Sequence, residues 1–564
     1  MPHPQNMHLP HEHLPALSII EELLNANIKK IAMEILAKDL AGRVAKIRIG
    51  KDIITPVMAV VVNPNKMPVT KETMKKMGVQ MVITNAYIIK DKIEDVHDIW
   101  DVVYTDSGTY QMYSIGDVNI TNEETIMYQQ KIKSDIITPL DVFTLPTDDY
   151  DTAKRKLEET IRRIKYAREN IKGLLNNPIQ GGVYLDLRKE ACKHFIGDIA
   201  SIGGIVPLME QYEFDKVIDI IVTCKKNLKT NVPVHAFGAG NPAVLGLLAA
   251  AGVDMFDSAA YALYADRGGY MTADRVMDIK EMEELPCNCP VCVSHTIDEI
   301  RKDKNLLAEH NLWVVMSEMK KVREMIRQGR LFEYVQNKSR AHNGIYKGLK
   351  ALLKHRDYLE MFDPIRKKHG IHYVGEESMM RPEITRALRW YRERISKIGP
   401  ISGALRETFP FGQSEGFPIK IGKDVDDMTK IKTIARFQFG KGAEKFFYDT
   451  KIVKGRTGRI RRILKNNEHY ATLRASDGYL VLSSNAAKDM MKIMKKVTVA
   501  EEAITFVKQG KSVFAKFVVK SDEVYAGEQV VIIDEKGEYI ATGDAVLNWK
   551  EMLDFTRGVA VKTR

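Results

Sequence analysis

Cysteine is scarce in this chain, with five in 564 residues, and so few thiols cannot staple a secreted disulfide scaffold. Long apolar runs are missing too. None approaches the roughly 20 residues of a membrane-spanning helix, so no membrane partner is expected. The N-terminus carries no basic stretch followed by an apolar core, so no secretory leader is expected. Together with clustered free thiols, this points to a reducing, cytoplasmic compartment. An acidic excess is lacking as well. Lys and Arg number 85 against 74 Asp and Glu, giving a net charge of +11 and a pI near 9.0. That balance suits a polyanionic partner such as nucleic acid without requiring one. Hydrophobic content of 45% and charged content of 28% are those of ordinary globular protein. The length exceeds what one core supports, so about two to four domains are expected.

The few cysteines are placed informatively. Cys287, Cys289 and Cys292 fall in the run Pro286-Cys287-Asn288-Cys289-Pro290-Val291-Cys292. This spacing is too tight for a disulfide framework, and three thiolates need one further donor to complete a tetrahedral set for Zn²⁺. His295 and His310 are the candidates. His295 sits so close to Cys292 that closing a tetrahedron would strain the loop, whereas His310 has the reach if a short helix returns to the cysteines. Four protein ligands leave no open position, so one structural zinc per chain is expected, with the chemistry elsewhere. Cys192 and Cys224 lack such spacing and read as buried small apolar residues. His3, His8, His11 and His13, set among prolines, read as a disordered tail rather than a metal site.

From about Leu17 to Leu40 apolar positions recur at helical spacing. Between Ile47 and Ser258 the pattern changes to short apolar, β-rich runs alternating with charged helical stretches. The runs are Val57–Val62, Val79–Thr84, Val102–Thr105, Ile136–Leu140, Ile179–Leu185, Ile202–Leu208, Ile218–Val222, Val232–Phe237 and Val253–Phe256. Asp151–Leu175 illustrates the stretches between them. It puts Leu157, Ile161, Ile164 and Ile171 on one helical face, with Glu158–Arg162 and Glu159–Arg163 paired at i,i+4 outside. Strand–helix alternation with apolar strands means a parallel sheet covered by helices. About eight units in roughly 250 residues fit a (β/α)₈ barrel better than a doubly wound sheet. Asn311–Tyr358 reads as basic helices, Phe362–Tyr373 as a linker and Gly399–Gly422 as loops. Thr450–Leu464 carries Lys451, Lys454, Arg456, Arg459, Arg461 and Arg462, either a solvated face or a contact for phosphates. From about Val497 the chain reads as a small β-rich domain, with strands at Val513–Val519, Gln529–Ile533, Ala541–Leu547 and Gly558–Val561.

Two aspartates stand where such a barrel would do chemistry. Asp106 follows Val102-Val103-Tyr104-Thr105 and Asp257 follows Val253-Asp254-Met255-Phe256. Side chains at strand C-termini face the active-site mouth of a barrel. Two carboxylates there are the tools for substitution at a sugar anomeric carbon, one attacking and one moving a proton. Singly, each would also serve as a cap before a following turn or helix. Asp141, Gln180 and Gly204 hold similar places. A carboxylate accepts from the N1–H and N2–H₂ edge of a guanine-like base, and an amide side chain or backbone N–H donates to its O6. These three therefore suit a purine-like pocket, among other ligands.

In combination the motifs carry a resemblance. They are Thr105-Asp106-Ser107-Gly108-Thr109-Tyr110-Gln111, Ile179-Gln180-Gly181-Gly182, Ile202-Gly203-Gly204-Ile205-Val206-Pro207, Phe256-Asp257-Ser258 and the C-x-C-x-x-C with His310-Asn311-Leu312. The chain resembles the tRNA-guanine transglycosylases of archaeal type, from about Ala41 to its C-terminus. The resemblance implies an α/β fold: a (β/α)₈ TIM-like barrel with an inserted structural zinc site, small α+β domains and a C-terminal β-rich PUA-like domain. It divides the chain into an N-terminal extension (1–40), a catalytic barrel with zinc subdomain (41–358), two C-terminal domains (359–425 and 426–492) and the PUA-like domain (493–564). The implied activity is replacement of guanine at position 15 of the tRNA D-arm by 7-cyano-7-deazaguanine (preQ0), without ATP, on the way to archaeosine. Asp257 matches the nucleophile and Asp106 the acid/base, although the reverse assignment has also been applied to the first aspartate. Asp141, Gln180 and Gly204 match the base-binding positions, the backbone at Ile205 and Val206 is where the nitrile would be read, and His310 matches the fourth zinc ligand. The partners implied are tRNA, preQ0 and a second copy of the chain. An amidinotransferase relative, or a non-catalytic tRNA-binding protein, would be expected to lack part of this set.

Overall fold

The computed structural model describes residues 31–90, 92–108 and 120–564. The helix expected over Leu17–Leu40 begins outside the described residues, and its C-terminal part is instead strand. β1 (Met33–Asp39), β2 (Gly42–Ile49) and β3 (Lys51–Thr55) form an antiparallel three-stranded sheet. The apolar spacing that mimics a helix belongs to a strand whose middle residues are only partly covered.

Eight parallel strands follow and close on themselves. They are β4 (Val57–Val61), β5 (Met81–Asn85), β6 (Val103–Asp106), β7 (Ile136–Ile137), β8 (Leu174–Ile179), β9 (Ile199–Ile202), β10 (Val234–Ala236) and β11 (Met255–Ser258), with β11 hydrogen-bonded back to β4. Helices form on the intervening segments for local reasons. Asp149 accepts from the Thr152 amide at 2.8 Å and starts the helix Tyr150–Asn170, which buries Ala153, Leu157, Ile164 and Ala167 on one face. On its outer side Arg162 pairs with Glu159 rather than Glu158, and Arg163 shares the same carboxylate.

Three expected strands are corrected. Ile202–Leu208 is strand only at Ile202, which ends β9; the chain then passes through Gly203-Gly204 into the helix Val206–Glu210. Ile218–Val222 lies in the helix Phe214–Asn227. That helix is covered nearly all round, so its apolar run imitates a buried strand. Ile179–Leu185 is strand only up to Ile179; the chain then turns through Gly181-Gly182 into the helix Leu185–Lys193.

Strand alternation decides what fills the barrel. Met58, Val60, Val82, Val103, Ala200, Ile202, Val234, Ala236 and Phe256 pack outward against the helices. Ala59, Met81, Ile83, Tyr104, Ile136, Leu174, Ile199 and Met255 pack inward, in one cluster with Ala45, Ile47 and Ile53 of the antiparallel sheet. That sheet therefore floors the barrel at the N-terminal ends of its strands, and the opposite end is the mouth. The inward cluster also contains Val497, Val530, Ile532, Phe555 and Val561 of the C-terminal six-stranded sheet. The C-terminal domain is thus packed onto the floor.

The expected linker Phe362–Tyr373 is not one. Asp363 and Lys367 are among the most buried charged groups in the chain. Lys367 bridges Asp363 and Asp39 and lies 3.6 Å from Glu383, while Asp363 also takes the Leu40 amide at 2.9 Å and Arg386 at 3.4 Å. Arg381 pairs with Glu383 at 2.8 Å and with Glu333. The segment is a buried ionic joint between the barrel and the helix Pro382–Arg394.

Candidate active site and metal centre

The same alternation sets the polar residues of the barrel interior. Counting by twos from inward Tyr104 reaches Asp106, and from inward Met255 it reaches Asp257. Asp106 ends β6, with Asn85 of β5 directly alongside. Asp257 lies in β11 opposite Ala59. Asp141 follows β7, and its carboxylate accepts from Gln180 Nε2 at 2.5 Å. Gln180 is fully buried at the end of β8 and takes a further contact from the Thr144 amide at 3.4 Å. Gly203-Gly204 closes over this amide. A Cβ on Gly203 would lie 2.4 Å from Gln180 Nε2. Gly204 has φ +70° and would push a Cβ to 2.7 Å from the Thr144 carbonyl. Only glycine lets the backbone approach Gln180 this closely. Ile205 and Val206 then open the short helix Val206–Glu210, where first-turn N–H groups have no intrahelical acceptor. Thr109, Tyr110 and Gln111 lie outside the described residues.

Electrostatics single out Asp106. Burial, and then the neighbouring carboxylates of Asp141 and Asp257, push its carboxyl from an ordinary 3.8 up to about 7, against the opposing backbone N–H bonds of Ser107 and Gly108. Three carboxyl groups therefore converge on one mouth, and one of them is half-protonated near neutral pH.

Sequence reasoning missed the group that holds Asp257. His235, at the centre of β10, is fully buried, and its Nε2 lies 2.9 Å from Asp257 Oδ1. The Gly238 amide donates to the same oxygen at 2.8 Å. Behind His235 are Ser201 and Tyr104, and behind Ser201 are Asn176 and Thr138. The available signal was a histidine inside an otherwise apolar strand, at a position of inward parity.

The metal centre lies beyond the last barrel strand, after the hairpin Gly269–Met271 and Val276–Asp278. Cys287 and Cys289 precede the short helix Pro290–Ser294, Cys292 lies within it, and His310 comes from the helix Lys304–Gln328. One ligand atom from each of the four lies within 4.8 Å of the others. His310 Nδ1 is 3.2 Å from Cys292 Sγ and 3.4 Å from Cys289 Sγ. Its Nε2 faces the Met271 carbonyl at 2.9 Å, which makes Nε2 the N–H and leaves Nδ1 as the ligand atom. Tyr270 stacks on the ring at 3.8 Å. His295 instead turns Nδ1 to the Val291 carbonyl at 3.0 Å and is outside the group. These four side chains can hold a metal ion. Cys192 and Cys224 are buried in the barrel's helical layer, as expected.

The basic segment forms two antiparallel strands, Lys451–Lys454 and Ile460–Lys465. Lys454 pairs with Asp427. Among the described residues, Lys451, Arg456, Arg459, Arg461 and Arg462 form no salt bridge and are exposed. No described helix is long and apolar enough to cross a membrane.

Comparison with known proteins gives three consecutive matches. Residues 39–344 match the family described as queuine tRNA-ribosyltransferase. Residues 429–496 match the patch-forming domain C2 of tRNA-guanine transglycosylase, and residues 495–564 match the PUA domain. Among curated relatives, the tRNA-guanine(15) transglycosylase of Pyrococcus abyssi is 38% identical, covering 95% of this chain and 98% of its own length. That of Pyrococcus furiosus is 39% identical over the same shares. That of Methanocaldococcus jannaschii is 33% identical, covering 95% of this chain and 99% of its own length.

Proposed function

The chain belongs to the tRNA-guanine transglycosylase family, in its archaeal type, and from that premise we propose how its own residues carry out the exchange. The enzyme is a pentosyltransferase that replaces guanine at position 15 of tRNA with preQ0 by two displacements at C1′. Asp257 attacks C1′ of the target nucleoside. The C1′–N9 bond breaks, and Asp106 gives its proton to the departing guanine. PreQ0 then enters, loses its N9 proton to Asp106 and attacks C1′, releasing Asp257. Two inversions retain the β configuration. Asp141 accepts from the N1–H and N2–H₂ edge of the base, Gln180 and the Gly204 N–H donate to its O6, and the backbone at Ile205-Val206 reads the nitrile.

The observation that carries this assignment is the carboxyl environment of Asp106. A group at about 7 exists in both protonation states at neutral pH, as an acid that later acts as a base must. Asp257 Oδ1 is fixed by two N–H donors, a grip suited to a nucleophile. Release of labelled guanine from tRNA on addition of preQ0 is the expected result; no release overturns the reading. A denaturing gel should show a covalent RNA adduct in wild type and none in Asp257→Asn. An adduct that persists in Asp257→Asn reverses the roles of the two aspartates.

The donor set of three thiols and one imidazole fits Zn²⁺ with closed coordination. It ties the Cys287–Cys292 segment to the long helix that carries His310 and takes no part in the exchange, so chelation should lower the melting temperature more than it slows turnover. The target base must leave its tertiary pairing to reach the mouth. The PUA domain grips a tRNA stem, and the unneutralised arginines around Arg461 contact phosphates. Val293, next to Cys292, is an apolar side chain 71% exposed, which suits a homodimer packed at the metal centre. A reducing, cytoplasmic setting follows from the free thiols.

A further inference from the structure

Asp257 is held by a histidine that is itself hydrogen-bonded from behind. His235 Nδ1 has two hydroxyls within reach, Ser201 Oγ at 3.2 Å and Tyr104 Oη at 3.3 Å. The Ser201 proton is already committed. Ser201 donates to Asn176 Oδ1, Asn176 Nδ2 donates to Thr138 Oγ1 at 3.3 Å, and Thr138 donates to the Thr105 carbonyl at 2.8 Å. Donors along this run all point away from the imidazole. Tyr104 Oη, 3.1 Å from Ser201 Oγ and 3.3 Å from Nδ1, is the hydroxyl here with a proton left to give. Burial holds its phenol well above the usual tyrosine range, so that proton stays in place at any working pH. Asp257 Oδ1 at 2.9 Å can only accept, so Nε2 carries the ring's N–H and aims it there, which leaves Nδ1 to accept from Tyr104.

We propose that His235 is a positioning residue for Asp257: its Nε2–H, oriented by Tyr104, and the Gly238 amide hold Oδ1 so that Oδ2 is the oxygen presented to C1′. The inference rests on the reading of Asp257 as the nucleophile. Two N–H donors, neither of them a Lys or Arg, fix the carboxylate. When Oδ2 bonds to C1′ and C1′–N9 breaks, Oδ1 becomes the ester carbonyl oxygen. The same two donors then stabilise the charge that returns to Oδ1 as preQ0 displaces the ester. No proton on His235 moves in either half of the exchange.

The test compares His235→Phe, His235→Gln and Tyr104→Phe in the full-length enzyme, with Asp257→Asn alongside and melting curves for all. Phe fills the site without an N–H, whereas the Gln amide places an N–H where Nε2 stood. His235→Phe should lower kcat by about a hundredfold, with KM for tRNA and preQ0 within about threefold. His235→Gln should recover at least about tenfold of that loss, and Tyr104→Phe should lose about tenfold through the misplaced tautomer. Wild-type kcat in His235→Phe, or no recovery in His235→Gln, overturns the inference. If His235→Phe fails to fold, the other two variants decide: unchanged kcat in Tyr104→Phe, or a rise in KM in place of a fall in kcat, overturns it. Exchange surviving in Asp257→Asn defeats the nucleophile assignment itself, whatever the histidine variants do.

Discussion

The barrel mouth and the joint behind it each bury a cluster of carboxylates, and they surround them differently. In the joint, Asp39, Asp363, Glu383 and Glu333 are interleaved with Lys367, Arg381 and Arg386. Burial alone would raise Asp39, Asp363 and Glu383; Arg381 and Lys367 hold Glu383 down at about 2, whereas burial still leaves Asp39 raised to about 6 and Asp363 raised despite Lys367. Lys367, which burial would discharge, is kept charged by Asp363, Asp39 and Glu383. In the mouth, the largest influences on Asp106 are burial and two like charges, all acting in the same direction. The joint uses buried charge to fix one arrangement of domains. The mouth accepts an unfavourable arrangement because proton transfer needs a group poised near neutrality. Burial is common to both; what differs is that cations are interleaved with the carboxylates of the joint, while the leading influences on Asp106 include none.

The contrast can be broken at either end. Asp257→Asn should lower exchange by at least about 10⁴-fold, more than about 5 kcal/mol of transition-state stabilisation, with an unchanged melting temperature. A large drop in melting temperature would place Asp257 with the structural charges. Lys367→Met should do the reverse, destabilising the fold by about 3–5 kcal/mol because it leaves buried carboxylates unpaired. Turnover per folded molecule, measured after correcting for the unfolded fraction, should hold. Asp106→Asn tests the cost of the mouth. A carboxyl raised to about 7 binds its proton more tightly folded than unfolded, so its contribution to stability is full below about pH 4 and is lost as pH rises toward 7. The variant should therefore gain on wild type across that window, by about 2 kcal/mol at pH 8, as denaturant titrations at both ends would show. In wild type, guanine release should slow as pH rises above about 7 and Asp106 loses its proton. The smallest effect is expected at the surface. Arg461→Ala with Arg462→Ala should weaken tRNA binding several-fold at low salt and reduce the salt slope by about two, one per phosphate contact. An unchanged slope would make that strand pair a solvated face.

Much of this was readable in the residues, for identifiable reasons. Apolar runs bounded by polar helices announced the parallel strands, and the C-x-C-x-x-C announced a metal centre. Asp106 and Asp257 stood out because each ends an apolar run. Errors arose where burial is uniform or polarity is hidden. The helix Phe214–Asn227 buries Val217, Ile218, Ile220, Ile221 and Val222, so no periodicity distinguishes it from a strand. Asp363 and Lys367 look like linker residues because their partners, Asp39 and Glu383, are far away in sequence. His235, Ser201 and Asn176 are isolated polar residues inside apolar strands, and only inward parity, counted from the closed barrel, shows that they share one interior.

One feature of the floor bears on how a substrate is selected. Val497, Val530 and Ile532 share a core with Ile47 and Met81, and Thr230 donates its amide and hydroxyl to the Asp554 carboxylate across the same boundary. The RNA-gripping domain is therefore welded to the barrel rather than hinged on it. Such a body acts as a caliper. If the C-terminal domain clamps a tRNA stem as proposed, the span from clamp to mouth is fixed by the protein, and the guanine at that distance is the one that would be read.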